Sequence, residues 1–163
     1  MSHSRVLNLY QRFERLPAGK WMFSRIFSRM APYFSTIGAN FIELRPNFCS
    51  LSLRKRRKVQ NHIGTVHVIA ICNGMEMAMG ALAEATVPAD LRWIPKGMEV
   101  RYPARADSDL RIEATTNPED WREGDVPVTV RALRADGTAV VEGTIFLYVS
   151  KRTGPKTMNE KRQ

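Results

Sequence analysis

From residue 66 to residue 82 the chain is apolar with few interruptions, through Val66, Val68, Ile69, Ala70 and Ile71 to Met75, Met77, Ala78, Met79, Ala81 and Leu82. The run is too long for a strand and too apolar around its circumference for a surface helix, so it predicts one long buried helix. Asn61, His62, Thr65 and His67 crowd its start, and Asn73 and Glu76 interrupt it. Upstream the spacing is helical twice. Val6, Leu7, Tyr10, Phe13 and Leu16 recur at helical intervals over 6–16, and Pro17 and Gly19 punctuate the stretch. Residues 20–34 form the second stretch, with Trp21, Met22, Ile26, Phe27, Met30 and Phe34 apolar and Arg25 and Arg29 sharing a face at i,i+4. A basic amphipathic helix can lie on a membrane surface. Covering a sheet is the commoner use of such a stripe and is the expectation here.

Elsewhere the period is two. Cys49, Leu51 and Leu53 fall on one side of a strand and Phe48, Ser50 and Ser52 on the other, with Pro46 marking a bend before it. After the long helix, residues 97–104, 110–116 and 126–150 read as four strands, the last two a hairpin around Asp136-Gly137. The order is therefore a helical lead-in, strand, one central helix and four strands. This is an α+β architecture, an antiparallel sheet wrapped around the helix. Its edges and uncovered face favour a second subunit.

A length of 163 residues suits one compact domain. The net charge of +9 inclines the surface toward anionic partners without naming one. Its densest run, Arg54, Lys55, Arg56, Arg57 and Lys58, reads first as a solvated strand end and second as a phosphate attractor. It lacks interleaved aromatics, so nucleic acid is not expected as a partner. Cys49 and Cys72 have neither a disulfide nor a metal-ligand pattern; no metal is expected, and free thiols fit a cytoplasmic protein. No uninterrupted apolar run of about 18 residues and no secretory signal are visible, so membrane contact is not expected.

This element order, with "NHIGTVH" opening the central helix, resembles the hotdog fold of acyl-CoA thioesterases. The resemblance points to a domain-of-unknown-function branch related to the phenylacetate-pathway thioesterases. It covers roughly residues 38–150, leaving 1–37 as a helical extension and 151–163 as a polar tail. It implies a homodimer, or a tetramer built from it, that joins two sheets. The acyl-thioester site then lies at the interface, with no cofactor beyond the CoA moiety of the substrate.

The better-known relatives carry an Asn, then His-Gly-Gly at the helix start, then an acid two turns on. Here Asn61 stands for the Asn, Gly64 matches a glycine, Thr65 replaces the next and Ile63 holds the His position. The acidic position falls at Cys72 or Asn73, and Glu76 lies one turn further. On this mapping Glu76, Asn61 and His67 are the catalytic candidates. Gly64 and Thr65, at the helix N-terminus, would polarise the carbonyl, with Thr65 also the natural N-cap. His62, Asn73, Arg54, Arg56 and Arg57 would contact substrate. Glu76 is read either as a buried base with a raised pKa or as half of a structural ion pair. The implied function is hydrolysis of an acyl-CoA or acyl-carrier thioester. The alternative is an acyl-binding hotdog protein without catalysis.

Overall fold

The computed structural model describes residues 4–152. Most of the expected tail lies outside them. Two helices lead in: α1, Arg5–Phe13, and α2, Gly19–Met30. Ser4 caps α1, its Oγ accepting the Leu7 N–H at 3.2 Å. A 3-10 segment, Pro32–Thr36, then hands the chain to strands β1 (Asn40–Arg45) and β2 (Phe48–Leu53). The central helix α3 spans Val68–Thr86. Strands β3 (Leu91–Arg101), β4 (Leu110–Thr115), β5 (Gly124–Leu133) and β6 (Ala139–Lys151) follow. β3 begins six residues before the alternation that marked it in the sequence, because Leu91 and Trp93 turn inward while Arg92 and Ile94 turn out.

All six strands form one antiparallel sheet in the order β1-β2-β4-β5-β6-β3. It wraps α3, whose Met75, Met77, Met79 and Leu82 are at most 1% exposed against Leu51, Ile112, Ile145 and Leu147 of the sheet. Gly74 lets α3 lie close on β4: a Cβ there would stand 2.4 Å from Cδ1 of Ile112. By length and hydropathy α3 matches a membrane-crossing helix, which corrects the expectation that no stretch does so. Of its most apolar 18-residue window 67% is buried inside the fold, as befits a core helix.

The strand prolines sit where the ladder tolerates them. Pro95 is at a bulge on edge strand β3. Pro127 lies beyond Thr129, where β4 stops pairing with β5.

The two sheet edges differ. At β1, α2 supplies the missing partners: Ser24 Oγ accepts the Phe41 N–H at 2.8 Å, and Arg25 Nη2 donates to the Ala39 carbonyl at 2.9 Å. Lys20 Nζ donates to the Ile42 carbonyl at 2.6 Å. Behind these bonds Phe23 packs edge-on to Tyr10 and Phe41, with centroids 5.2 and 4.8 Å away, and locks both lead-in helices to the sheet. No described element covers the β3 edge.

Candidate active site

The loop before α3 closes on itself. Gln60 and Val66 form an isolated antiparallel bridge, and inside it the Asn61 N–H donates to the Thr65 carbonyl at 3.0 Å. The Asn61 side chain fills the turn. Its Oδ1 accepts from the N–H groups of Ile63 and Thr65, both at 3.1 Å, and its Nδ2 donates to Thr65 Oγ1 at 2.8 Å. The Gly64 N–H goes to the Asn61 carbonyl at 3.1 Å, and Gly64 itself takes φ +77°, the left-handed region that glycine enters freely. His62 and Ile63 are exposed at the tip.

These bonds correct two expectations. The amides of Gly64 and Thr65 both point back to Asn61, so neither is free to receive a carbonyl. Nor is Thr65 the N-cap. The Val66 N–H docks on the Ala106 carbonyl and the His67 N–H on the Val59 carbonyl, both at 2.8 Å, which keeps the backbone extended until Val68. His67 becomes the cap, its Nδ1 accepting the Ile69 N–H at 3.1 Å. Acceptance at Nδ1 places the proton of the neutral imidazole on Nε2. The Val68 N–H, at the first helical position, has no acceptor within the helix.

Glu76 is exposed, not buried, and has no ion-pair partner among the described residues. Neither the buried base nor the structural ion pair describes it in this chain. Ile69, Cys72 and Glu76, at i, i+3 and i+7, form the one side of α3 that the fold leaves open; Ile69 is 55% exposed.

Two depressions line this open side. A cavity of about 470 Å³ has Tyr33, Thr36, Lys58, His67, Ile69 and Asn73 among its walls. A second, of about 270 Å³, is lined by apolar Phe27, Met30, Phe34, Met79 and Trp93, with Glu76 and Glu84 at its side; Glu84 Oε1 accepts the Trp93 indole N–H at 3.1 Å. The Pro32–Thr36 segment contributes to both, and Asn73 fastens it: Nδ2 donates to the Tyr33 carbonyl at 3.1 Å and to Thr36 Oγ1 at 3.3 Å. The Asn73 Oδ1 is buried without a partner.

The basic run is partly consumed by the fold. The Lys55 N–H donates to Asp109 Oδ1 at 2.8 Å, and Arg56 Nη2 to the Ile37 carbonyl at 2.8 Å. Arg54 and Arg57 are exposed, and Lys58 is the member of the run that lines the larger cavity. His67 and Asn73 thus meet in one cavity and Glu76 adjoins the other, while Asn61 serves the loop. Sequence reasoning missed the aromatic walls Phe27, Phe34 and Trp93, which come from three separate segments and share no motif.

A model of the family described as a domain of unknown function, DUF4442, matches residues 19–149. The chain belongs to the DUF4442 family. The match begins at Gly19 and so takes in α2. A structural-genomics protein, APC5556, is 40% identical, with a TM-score of 0.80 over 90% of this chain and 99% of that one. PA5026 of Pseudomonas aeruginosa, described as a protein of unknown function and probable thioesterase, is 20% identical, with a TM-score of 0.73 over 84% of this chain and 97% of its own. A thioesterase family protein of Silicibacter pomeroyi is 19% identical, with a TM-score of 0.66 over 79% and 96%. No curated protein matches this chain. The DUF4442 chain therefore has the hotdog fold, thioesterase-like in architecture.

Proposed function

We propose that this DUF4442 chain hydrolyses an acyl thioester, of CoA or of an acyl carrier, at a site completed by a second copy. The observation that carries the reading is Glu76: an exposed carboxylate beside a largely apolar depression suited to an acyl group, and without the partner that the other acid of α3, Glu84, finds in the Trp93 indole N–H at 3.1 Å. Glu76 takes a proton from water as the water oxygen attacks the thioester carbonyl carbon. The tetrahedral intermediate collapses, the C–S bond breaks and the thiolate leaves to be protonated.

The carbonyl oxygen needs donors during this step. With Gly64 and Thr65 committed to Asn61, the remaining candidates at the helix start are the Val68 N–H and the Nε2–H of His67. His67 lies nine residues before Glu76, about 13 Å along the helix axis. One protomer cannot bring both to the same carbonyl. A site that combines them draws each from a different chain, and the uncovered β3 edge is where a second sheet can add. Lys58 and the exposed Arg54 and Arg57 attract the phosphates of the thiol portion.

Thiol release from a panel of acyl-CoAs tests the activity, and complementation tests the site. Glu76→Gln and His67→Ala should each lose turnover, by about two to four orders of magnitude for Glu76. Co-refolding the two variants should restore part of it, because a mixed dimer contains one intact site. No recovery on mixing sinks the composite site, and full turnover in Glu76→Gln sinks the base. The commitment of the Gly64 and Thr65 amides favours the second reading, an acyl-binding protein without catalysis. That reading predicts thermal stabilisation by acyl-CoA with no thiol released.

A further inference from the structure

Helix α2 does two jobs with two different sets of side chains. Phe23, Ser24, Phe27 and Ser28 are buried and cover β1, as a sheet-covering stripe should. Yet the outer surface is not the polar face that a surface helix normally shows. Trp21 is 58% exposed, Met22 41%, Ile26 37% and Met30 68%; Leu16 before the helix and Tyr33 after it are 53% and 65% exposed. Met22, Ile26 and Met30 succeed one another at i, i+4 and i+8, a continuous ridge. An exposed apolar residue alone needs no explanation; a ridge of this kind does.

The charges on α2 itself are of one sign. Lys20, Arg25 and Arg29 are the ionisable residues of α2, which has no acid, and Arg15 precedes it; Glu14 is the nearest acid in the chain. A second copy laid symmetrically on this ridge would bring the exposed Arg29 toward its own kind. Arg25 and Lys20 are turned to the Ala39 and Ile42 carbonyls, which leaves exposed Arg15 and Arg29 to meet an anionic surface, their long side chains reaching the charged layer while the ridge is buried. Trp21 suits the boundary between the two environments.

We propose that the outer face of α2 docks on an anionic phospholipid bilayer. The expectation from sequence set sheet covering against membrane contact, and the structure removes the conflict because opposite faces of α2 serve each. Met30, at the end of the exposed ridge, also lines the 270 Å³ depression that holds the carboxylates of Glu76 and Glu84. The proposal stands apart from the thioesterase reading, since neither Glu76 nor any hydrolytic step enters it.

The test is co-sedimentation of the full chain with vesicles of phosphatidylcholine alone and of phosphatidylcholine mixed with phosphatidylglycerol. Binding is expected to the mixed vesicles, released by high salt. Arg29→Gln should weaken it roughly fivefold, and Ile26→Gln or Met30→Gln roughly tenfold. These side chains point away from the core, and unchanged thermal unfolding will verify that each variant is folded. Lipids with brominated acyl chains should quench tryptophan fluorescence of the wild type, and most of that quenching should vanish in Trp21→Phe. Equal binding to neutral vesicles, or quenching unaffected by Trp21→Phe, overturns the proposal. A molecular mass lowered by Ile26→Gln in a chain that never binds vesicles also overturns it and gives the ridge to a second copy.

Discussion

Asn61 and Thr65 hold each other across the turn before α3 through backbone and side chain at once, with Asn61 Nδ2 on Thr65 Oγ1 at 2.8 Å and Asn61 Oδ1 accepting the Thr65 N–H at 3.1 Å. The residue that resembles a family active-site asparagine is thus occupied in shaping the loop that presents His67. Asn61→Ala removes three side-chain bonds and should cost about 2–3 kcal/mol, whereas Thr65→Val removes one and should cost about 1 kcal/mol. Urea unfolding of both variants checks the order. A larger loss for Thr65→Val would refute the assignment of the loop to Asn61.

The two thiols should differ in reactivity. Burial raises the pKa of both, but Cys49 is fully enclosed and pushed well up, while Cys72 is half-buried on the open side of α3. Alkylation of the native protein should therefore modify Cys72 slowly, faster as pH rises, and leave Cys49 until unfolding. Because Cys72 lies one turn from Glu76, its modification should block acyl-thioester binding. Mass spectrometry of the alkylated protein, with a parallel binding assay, gives the answer.

Alkaline pH should destabilise the fold. Burial first, and the Glu14 carboxylate second, raise the Tyr10 pKa from 10.0 to about 12. The folded chain holds this proton more tightly than the unfolded chain does. The contribution is complete below about pH 10 and is lost as pH climbs toward 12; allowing for solvent screening, it amounts to roughly 1–2 kcal/mol. Cys49, also raised, acts in the same direction. Denaturant titrations at pH 8 and pH 11 should show the loss. Tyr10→Phe should be weaker at pH 8, having lost the bond to the Ile42 carbonyl, but less sensitive to the rise.

A dimer is the expected solution state. With β1 covered by α2 and β3 bare among the described residues, pairing should occur through β3 and close after one addition, since the described residues leave a single open edge. Light scattering at micromolar concentration should return twice the chain mass. A stable monomer would remove the composite site from the proposed mechanism.

Periodicity specified the helical lead-in, the buried helix and the strands after it, because each is written locally as a spacing of 3.6 or 2 and a turn pair such as Asp136-Gly137. The single strand expected before the helix is two, since the chain turns at Pro46-Asn47 and pairs Asn40–Arg45 with Phe48–Leu53. The start of α3 was not written that way. Thr65 has a better capping side chain than His67, yet docking of residues 66 and 67 on Ala106 and Val59 holds the backbone extended past Thr65. Glu76 looked buried because its neighbours in sequence are apolar, but a helix flanked on three sides still has a fourth, and which residues face it depends on how α3 is rotated against the sheet. The same holds for α2. Sequence specified an amphipathic helix, while only packing decided that Phe23 and Phe27 would face β1 and leave Trp21, Met22, Ile26 and Met30 outside. Spacing fixes which residues share a face; only the tertiary contacts decide which face is left open.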